Sequence, residues 1–379
     1  MKVVLPDPSG WDHGGPAPGE RGRPSLDAST TVNPFPSPEL LALLGRDLAL
    51  ARSYPEPWAT ECRERIATRH LLSPERIVTG PGATFLLYHL LGLSLVRRLL
   101  LPEPVFSEYG RAAGMAGLPV HRIPPGLDLV LSDGRPLGWG IDLERSGWEI
   151  RPGDLMVLVN PVNPTGQEFP ASRLLTLSRR LGAEGGALLV DESFQDFLDN
   201  RSSVLSRAGE DGLLVLRSLT KITGLPGIRT GFLAGPPDIS GQMRAKMGPW
   251  STGLLEQAVI RWAMERENAS EFGWNDQPRD RLRAGLEQLG ISCLHGEGPM
   301  ILTSLGISSE EARAWRLRLA SQGVRLRLAE GFGPPDGARL LRIGCEAFSD
   351  PERFLEIFRS TGQSPYGENL SLPPVTRKN

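Results

Sequence analysis

Residues able to do chemistry crowd into four short stretches. "SLTKITGLPGIRTG" (218–231) sets Lys221 and Arg229 among small, apolar and turn-forming residues, directly after the apolar run "LLVL". "LLVDES" carries Asp191 and Glu192 straight after another apolar run. A carboxylate at the buried end of a strand costs energy unless a cation or a strong donor pairs with it. A protonated ring nitrogen would be such a partner; an N-cap for a following helix is the other role open to Asp191. "LVNPVNPTG" ends an apolar run in two Asn-Pro pairs, where Pro164 and Gly166 would fix a tight turn. Asn163 could present its amide to a ligand there, although an ordinary Asn-rich loop has the same composition.

"VTGPGAT" (78–84) reads as a strand-to-helix turn whose amides near Ala83 and Thr84 could cradle a phosphate. Each stretch alone is weak evidence. Their joint order supplies an amine, a buried acid and an anion cradle, which is what a Schiff base between Lys221 and pyridoxal phosphate requires. Ser218 and Arg229 could hold the phosphate, the arginine through a charge-assisted fork. Phe106, in "EPVFSEY", is a flat aromatic able to stack on the ring.

These residues need a rigid frame. From about Ser73, short apolar runs ending in turn residues alternate with helical stretches: "RIVTG", a helix from Ala83 to about Val96, "RLLLPEP", "LMVLVNPVNPTG", a basic amphipathic segment from Ala171 to Leu181, "GALLVDESF", "GLLVLRSLTK" and "TGFLAGPP". Strand, helix, strand in repetition predicts an α/β domain with a mostly parallel central sheet. The runs lack polar alternation, as strands covered on both faces should. In such sheets ligands bind beyond the carboxyl ends of the strands, where these polar residues fall.

The first fifty residues, rich in Pro, Gly and charge, read as an extended arm. Beyond about Trp250, longer amphipathic helices such as "LLEQAVIRWAMERE" and shorter strands ("ISCLHGEG", "RLRLAE", "ARLLRIG") predict a smaller α/β lobe joined by that arm. The expected division is an arm over 1–49, a large domain over 50–255, a small C-terminal domain over 256–360 and a tail over 361–379.

At 379 residues the chain can bury a large core, and a net charge of −2 gives no reason to expect nucleic acid or an anionic membrane as partner. The start has no apolar stretch long enough for a secretory signal. The greasiest run, "FLLYHLLGLSLV", falls short of the roughly 20 residues a membrane span needs. Cys62, Cys293 and Cys345 are few, odd in number and far apart, which fits a reducing cytoplasm and no metal site.

The chain resembles the fold-type I, pyridoxal-phosphate-dependent class I/II aminotransferase group, from about Asp27 to Phe358, through "NPVNPTG", "VDESF" and "SLTKITGLPGIRTGF". The resemblance implies that Lys221 forms the Schiff base, that Asp191 keeps the pyridine nitrogen protonated, and that Asn163 bonds the ring's 3-hydroxyl oxygen. It places Ser218, Arg229 and the amides of Ala83 and Thr84 on the cofactor phosphate. Tyr54, in "SYPEP", matches a tyrosine that reaches the phosphate of a neighbouring subunit, implying a homodimer with shared active sites. Arg342, in "ARLLRIGC", matches the arginine that grips the substrate carboxylate.

Two subfamilies compete: the threonine-phosphate decarboxylases of cobalamin biosynthesis and the histidinol-phosphate aminotransferases. "DHGG" near the start, "LDASTTVNPFPSP", "PWSTGLLEQA" with Trp250, and Phe194 in place of a common tyrosine resemble the decarboxylases. Pro81, Phe85 and Gly253 depart from both patterns. His13 and Arg327 are the cations left over for a substrate phosphate, and Arg327 matches a phosphate-contacting arginine of the histidinol-phosphate enzymes. The expectation is decarboxylation of L-threonine O-3-phosphate, with transamination of histidinol phosphate or a related amino acid as the alternative. A binding protein that kept the fold without catalysis would have no use for Lys221, Asp191, Asn163 and Arg229 together.

Overall fold

The apolar runs become strands buried along their whole length. The computed structural model describes residues 13–16, 24–145 and 148–360. In chain order the strands are β1 (Leu26–Asp27), β2 (Ile77–Gly80), β3 (Arg98–Pro102), β4 (Val120–Ile123), β5 (Leu127–Val130), β6 (Pro136–Gly140), β7 (Asp154–Val159), β8 (Ala187–Asp191), β9 (Leu213–Ser218), β10 (Gly231–Ala234), β11 (Ser292–Leu294), β12 (Ile301–Ser304), β13 (Val324–Arg325), β14 (Arg327–Leu328) and β15 (Leu340–Ile343). Seven of them form one sheet in the order β2-β10-β9-β8-β7-β3-β4. β9, β8, β7, β3 and β4 run parallel, and β10 alone runs opposite to the other six strands. Every residue of β7 and β9 is buried, so neither face of those strands meets water.

Helices cover this sheet: α1 (Pro38–Asp47), α2 (Thr60–His70), α3 (Ala83–Leu91), α4 (Glu108–Met115), α5 (Ala171–Ala183) and the single turn α6 (Leu219–Ile222) are those nearest the argument. α3 stops at Leu91 rather than near Val96, because the chain turns at Gly92 and the apolar residues beyond it enter a loop. The extended arm is also shorter than the composition implied. Ser37 caps Leu40, Pro38 opens the first turn, and Leu40 and Leu44 are buried, so residues 38–47 are a packed helix.

A second sheet, β11-β12-β15-β14, is antiparallel throughout. "RLRLAE" does not make one strand. Val324–Arg325 pair in parallel with β1 of the arm, while Arg327–Leu328 pair with β15. The arm is thereby stitched to the second sheet, and it continues across β15's end: Gly344 and Cys345 donate backbone hydrogen bonds to Ala28 (2.8 Å) and Thr30 (3.0 Å). A Cβ on Gly344 would run into the Thr30 carbonyl, so only glycine permits this crossing. Among the described residues no helix is long and apolar enough to cross a membrane.

Gly344→Ala should force the arm away from β15 at a cost of about 1–3 kcal/mol, the usual penalty for overpacking, read as a lower urea midpoint with the slope retained.

Candidate active site

The carboxyl edge of the seven-stranded sheet gathers residues that lie far apart in sequence. β8 ends on Asp191, which pairs with Leu216, and β9 runs two residues further to Ser218, so the acid and the hydroxyl leave adjacent parallel strands at the same edge. The turn after β7 brings Asn163, the turn after β3 brings Phe106, and the link from β2 into α3 brings Ala83 and Thr84. β10 runs the other way, so Arg229, just before it, enters from the same edge. A cleft of about 910 Å³ is lined by all of these together with Lys221, and by His13, Ser29, Arg327 and Arg342 from the arm and the second sheet.

At one end lies an anion cradle. α3 begins at Ala83, and the amides of its first turn have no partner inside the helix. Gly82 has φ +91°, and a Cβ there would sit 2.6 Å from Arg229 Nη2. Glycine therefore lets the guanidinium close over the helix start. Ser218 Oγ lies 2.8 Å from Thr220 Oγ1, which adds two hydroxyls to the same wall.

At the other end Asp191 is buried, with Oδ1 accepting the Ser193 amide at 2.8 Å and Oδ2 accepting the Tyr109 hydroxyl at 2.5 Å. Burial pushes its carboxyl above the ordinary range, against the opposing pull of Ser193, Tyr109 and the Lys221 charge. Tyr109 is itself buried, and burial together with Asp191 raises its phenol well above 10, so it remains a donor. Tyr109 is the residue that sequence reasoning passed over. Its signal was the place three after Phe106 in "EPVFSEY", one helical turn along the same face.

Lys221 stands on α6 between these ends. Removal from water, then the charges of Arg342 and Arg229, lower its ammonium from 10.5 to about 8. Arg342 is buried on β15; it donates to Asn163 Oδ1 at 3.3 Å and to the Ser29 carbonyl. A guanidinium only donates, so this contact fixes the Asn163 oxygen and turns its NH₂ group elsewhere. Arg327 pairs with Arg342 across β14 and β15, which sets two buried cations side by side. The Arg327 guanidinium lies 5.8 Å from the Phe106 ring centroid and the His13 ring 5.3 Å from it.

The sequence had singled out one residue that is not in the cleft. Tyr54 is 84 % exposed on the outer surface, its ring 5.1 Å from that of Trp250. Phe194, in contrast, lines the cleft with no hydroxyl to offer.

Behind the cleft, on the far faces of β8 and β9, Glu192 and Arg217 form a fully buried pair, Nη2 to Oε2 2.8 Å. Arg217 also reaches Asp196 at 2.7 Å and Asn200 at 2.7 Å. The pair clips the two strand ends at the residues adjoining Asp191 and Ser218.

The donor set fits pyridoxal phosphate: an anion cradle closed by Gly82, an amine of lowered basicity, and a buried carboxylate for a ring nitrogen. The family model "Aminotransferase class I and II" matches residues 44–359. The chain is 25% identical over 357 residues to the threonine-phosphate decarboxylase of Salmonella typhimurium, covering 90% of this chain and 92% of that protein. It is 28% identical over 286 residues to a histidinol-phosphate aminotransferase of Mycobacterium tuberculosis, 74% of this chain and 72% of that one. The solved histidinol-phosphate aminotransferase of Clostridium acetobutylicum superposes with a TM-score of 0.76 at 22% identity, over 89% of this chain and 98% of that one.

A neutral amine is the nucleophile toward an aldehyde. Capture of pyridoxal phosphate by the cofactor-free protein should therefore speed up about tenfold per pH unit below about 8 and level off above it, measured by stopped-flow absorbance. Lys221→Ala should abolish the borohydride-fixed pyridoxyl adduct in mass spectrometry.

With motif, fold and donor set in agreement, the chain belongs to the class I and II aminotransferase family, whose cofactor is pyridoxal phosphate.

Proposed function

We propose that this protein decarboxylates L-threonine O-3-phosphate to (R)-1-amino-2-propanol O-2-phosphate, the building block used in cobalamin assembly. One observation carries the reading: His13 of the His-Gly-Gly segment and Arg327 both approach the Phe106 ring, in the same cleft as Arg342. Ser218, Thr220 and Arg229 are committed to the cofactor phosphate. The adjacent guanidiniums of Arg327 and Arg342 then favour a ligand with two further anionic groups, since like charges directly opposite each other on paired strands repel. Phosphothreonine carries a carboxylate and a phosphate in one molecule. Histidinol phosphate carries only the phosphate. The match to a threonine-phosphate decarboxylase over nine-tenths of the chain supports the same choice.

When bound, the cofactor withdraws the electron pair left on Cα as a substituent departs. Asp191 would hold a proton at the ring nitrogen, and Asn163 would donate its NH₂ to the ring's 3-oxygen without the help of a tyrosine, because Phe194 lines the cleft where the resemblance sets one. Phe106 stacks on the ring. Arg342 would grip the carboxylate and Arg327 with His13 the phosphate, which would orient the substrate for cleavage of the bond from Cα to the carboxylate. That bond breaks, carbon dioxide leaves, and Lys221 Nζ delivers a proton to Cα. Tyr54 serves the cofactor phosphate of a second copy, which makes the working form a homodimer with shared sites.

The holoenzyme supplied with phosphothreonine and no 2-oxoglutarate should release carbon dioxide and an amine in equal amounts. Glutamate-dependent turnover of histidinol phosphate without carbon dioxide would overturn this reading and assign the aminotransferase reaction.

A further inference from the structure

One buried acid beside the cleft has no part in the chemistry above. Glu108 opens α4 two residues after Phe106 and is only 9% exposed. Its Oε1 lies 2.9 Å from His13 Nε2 and accepts from Arg111 Nη1 at 3.2 Å, while its Oε2 accepts the Tyr88 hydroxyl at 2.7 Å. Tyr88 belongs to α3, the helix whose first turn forms the anion cradle. Three pieces of the molecule, the arm, α3 and α4, thus meet on one carboxylate.

A buried carboxylate is costly unless it is paired and hydrogen-bonded. Burial alone would push the Glu108 carboxyl up, but the bonds from His13, Tyr88 and Arg111 overcome it and hold it at about 2. Glu108 is therefore an anion at any pH at which the protein works. The carboxylate at 2.9 Å fixes the Nε2 edge of the His13 ring and so its orientation in the cleft wall. Of the other groups facing this pair, Arg111 and Tyr88 share the carboxylate, and Arg327 approaches the Phe106 ring that His13 also meets. The arm around His13 has a further anchor, Gly15 N donating to Ser29 Oγ at 2.9 Å, but that bond carries no charge toward the cleft.

Building on the phosphorylated-substrate reading, we propose that Glu108 is a positioning residue: it pins the His13 imidazole in the cleft wall, and the protein's preference for phosphorylated over unphosphorylated ligands depends on it. Phe106 backs the imidazole on one side and Glu108 fixes its Nε2 edge, so the ring stands in the same cleft as the permanent charge of Arg327.

The test is a titration of the holoenzyme with phosphothreonine against threonine, and histidinol phosphate against histidinol, followed by the change in cofactor absorbance. Each pair gives a preference ratio that is independent of which reaction follows. The wild-type protein should prefer the phosphorylated member of a pair. Glu108→Gln should lower that ratio about tenfold, His13→Ala about as much, and the double variant no further, because the two act through one contact. Glu108→Asp, which keeps the charge but draws it back by one methylene, should cost about threefold and serves where the Gln variant does not fold. An unchanged ratio in Glu108→Gln or Glu108→Asp, or losses that multiply in the double variant, would overturn the role of Glu108 alone. A wild-type protein with no preference in either pair would overturn the phosphorylated-substrate reading with it.

Discussion

A set of charges held out of water at the edge of one sheet is the constraint on which the rest of the structure depends. Asp191 is a buried carboxylate at the end of β8, and nothing in a hydrophobic strand repays that burial. Its cost is met by the Ser193 amide, by Tyr109, and by the cationic character of the cleft it faces. The neighbouring residues bear a second cost of the same kind. Glu192 and Arg217, one position along β8 and one before the end of β9, form a buried pair that would cost about 3–5 kcal/mol to break from one side. The strand alternation sends Asp191 and Ser218 to the cleft and Glu192 and Arg217 to the opposite face. A shift of one residue between β8 and β9 would misplace both pairs together, so the buried charge also fixes the register.

The cleft follows from this edge. Parallel strands covered on both faces present their carboxyl ends together, and the loops that leave them can carry polar groups only where water or a ligand satisfies them. Four cationic side chains (Lys221, Arg229, Arg327 and Arg342) line a space whose one lining carboxylate, among the described residues, is Asp191. Burial first, and then that imbalance, lowers the basicity of Lys221 to about 8 and readies it as a nucleophile near neutral pH. It also calls for anions: one on the cofactor and, in our reading, two on the substrate. The arm completes the wall from outside, crossing β15 at a point where only glycine can sit.

Much of this was legible in the sequence. Apolar runs without polar alternation gave the buried parallel sheet, and the residues closing them gave Lys221, Asp191, Asn163, Ser218 and Arg229, because in such sheets the strand end is the place for chemistry. Less legible were the limits of elements. A run of leucines extended the expected α3 past Gly92, since a greasy pattern marks burial and not helix length. "RLRLAE" looked like one strand, yet its two halves serve different sheets, a choice made by the partners that approach it and not by its own residues.

The sequence by itself determined the cofactor chemistry, because an amine, an acid and an anion cradle must each follow a strand in a fixed order, and strand ends are readable from local pattern. Only the tertiary structure decided which distant groups complete the site. Tyr109 on Asp191, Arg327 beside Arg342, and His13 held by Glu108 join residues 82, 15 and 95 positions apart. No local periodicity encodes such meetings. They arise when the arm, the second sheet and the helices α3 and α4 pack around one sheet edge, and that packing is set by the burial of surfaces remote from the residues it brings together.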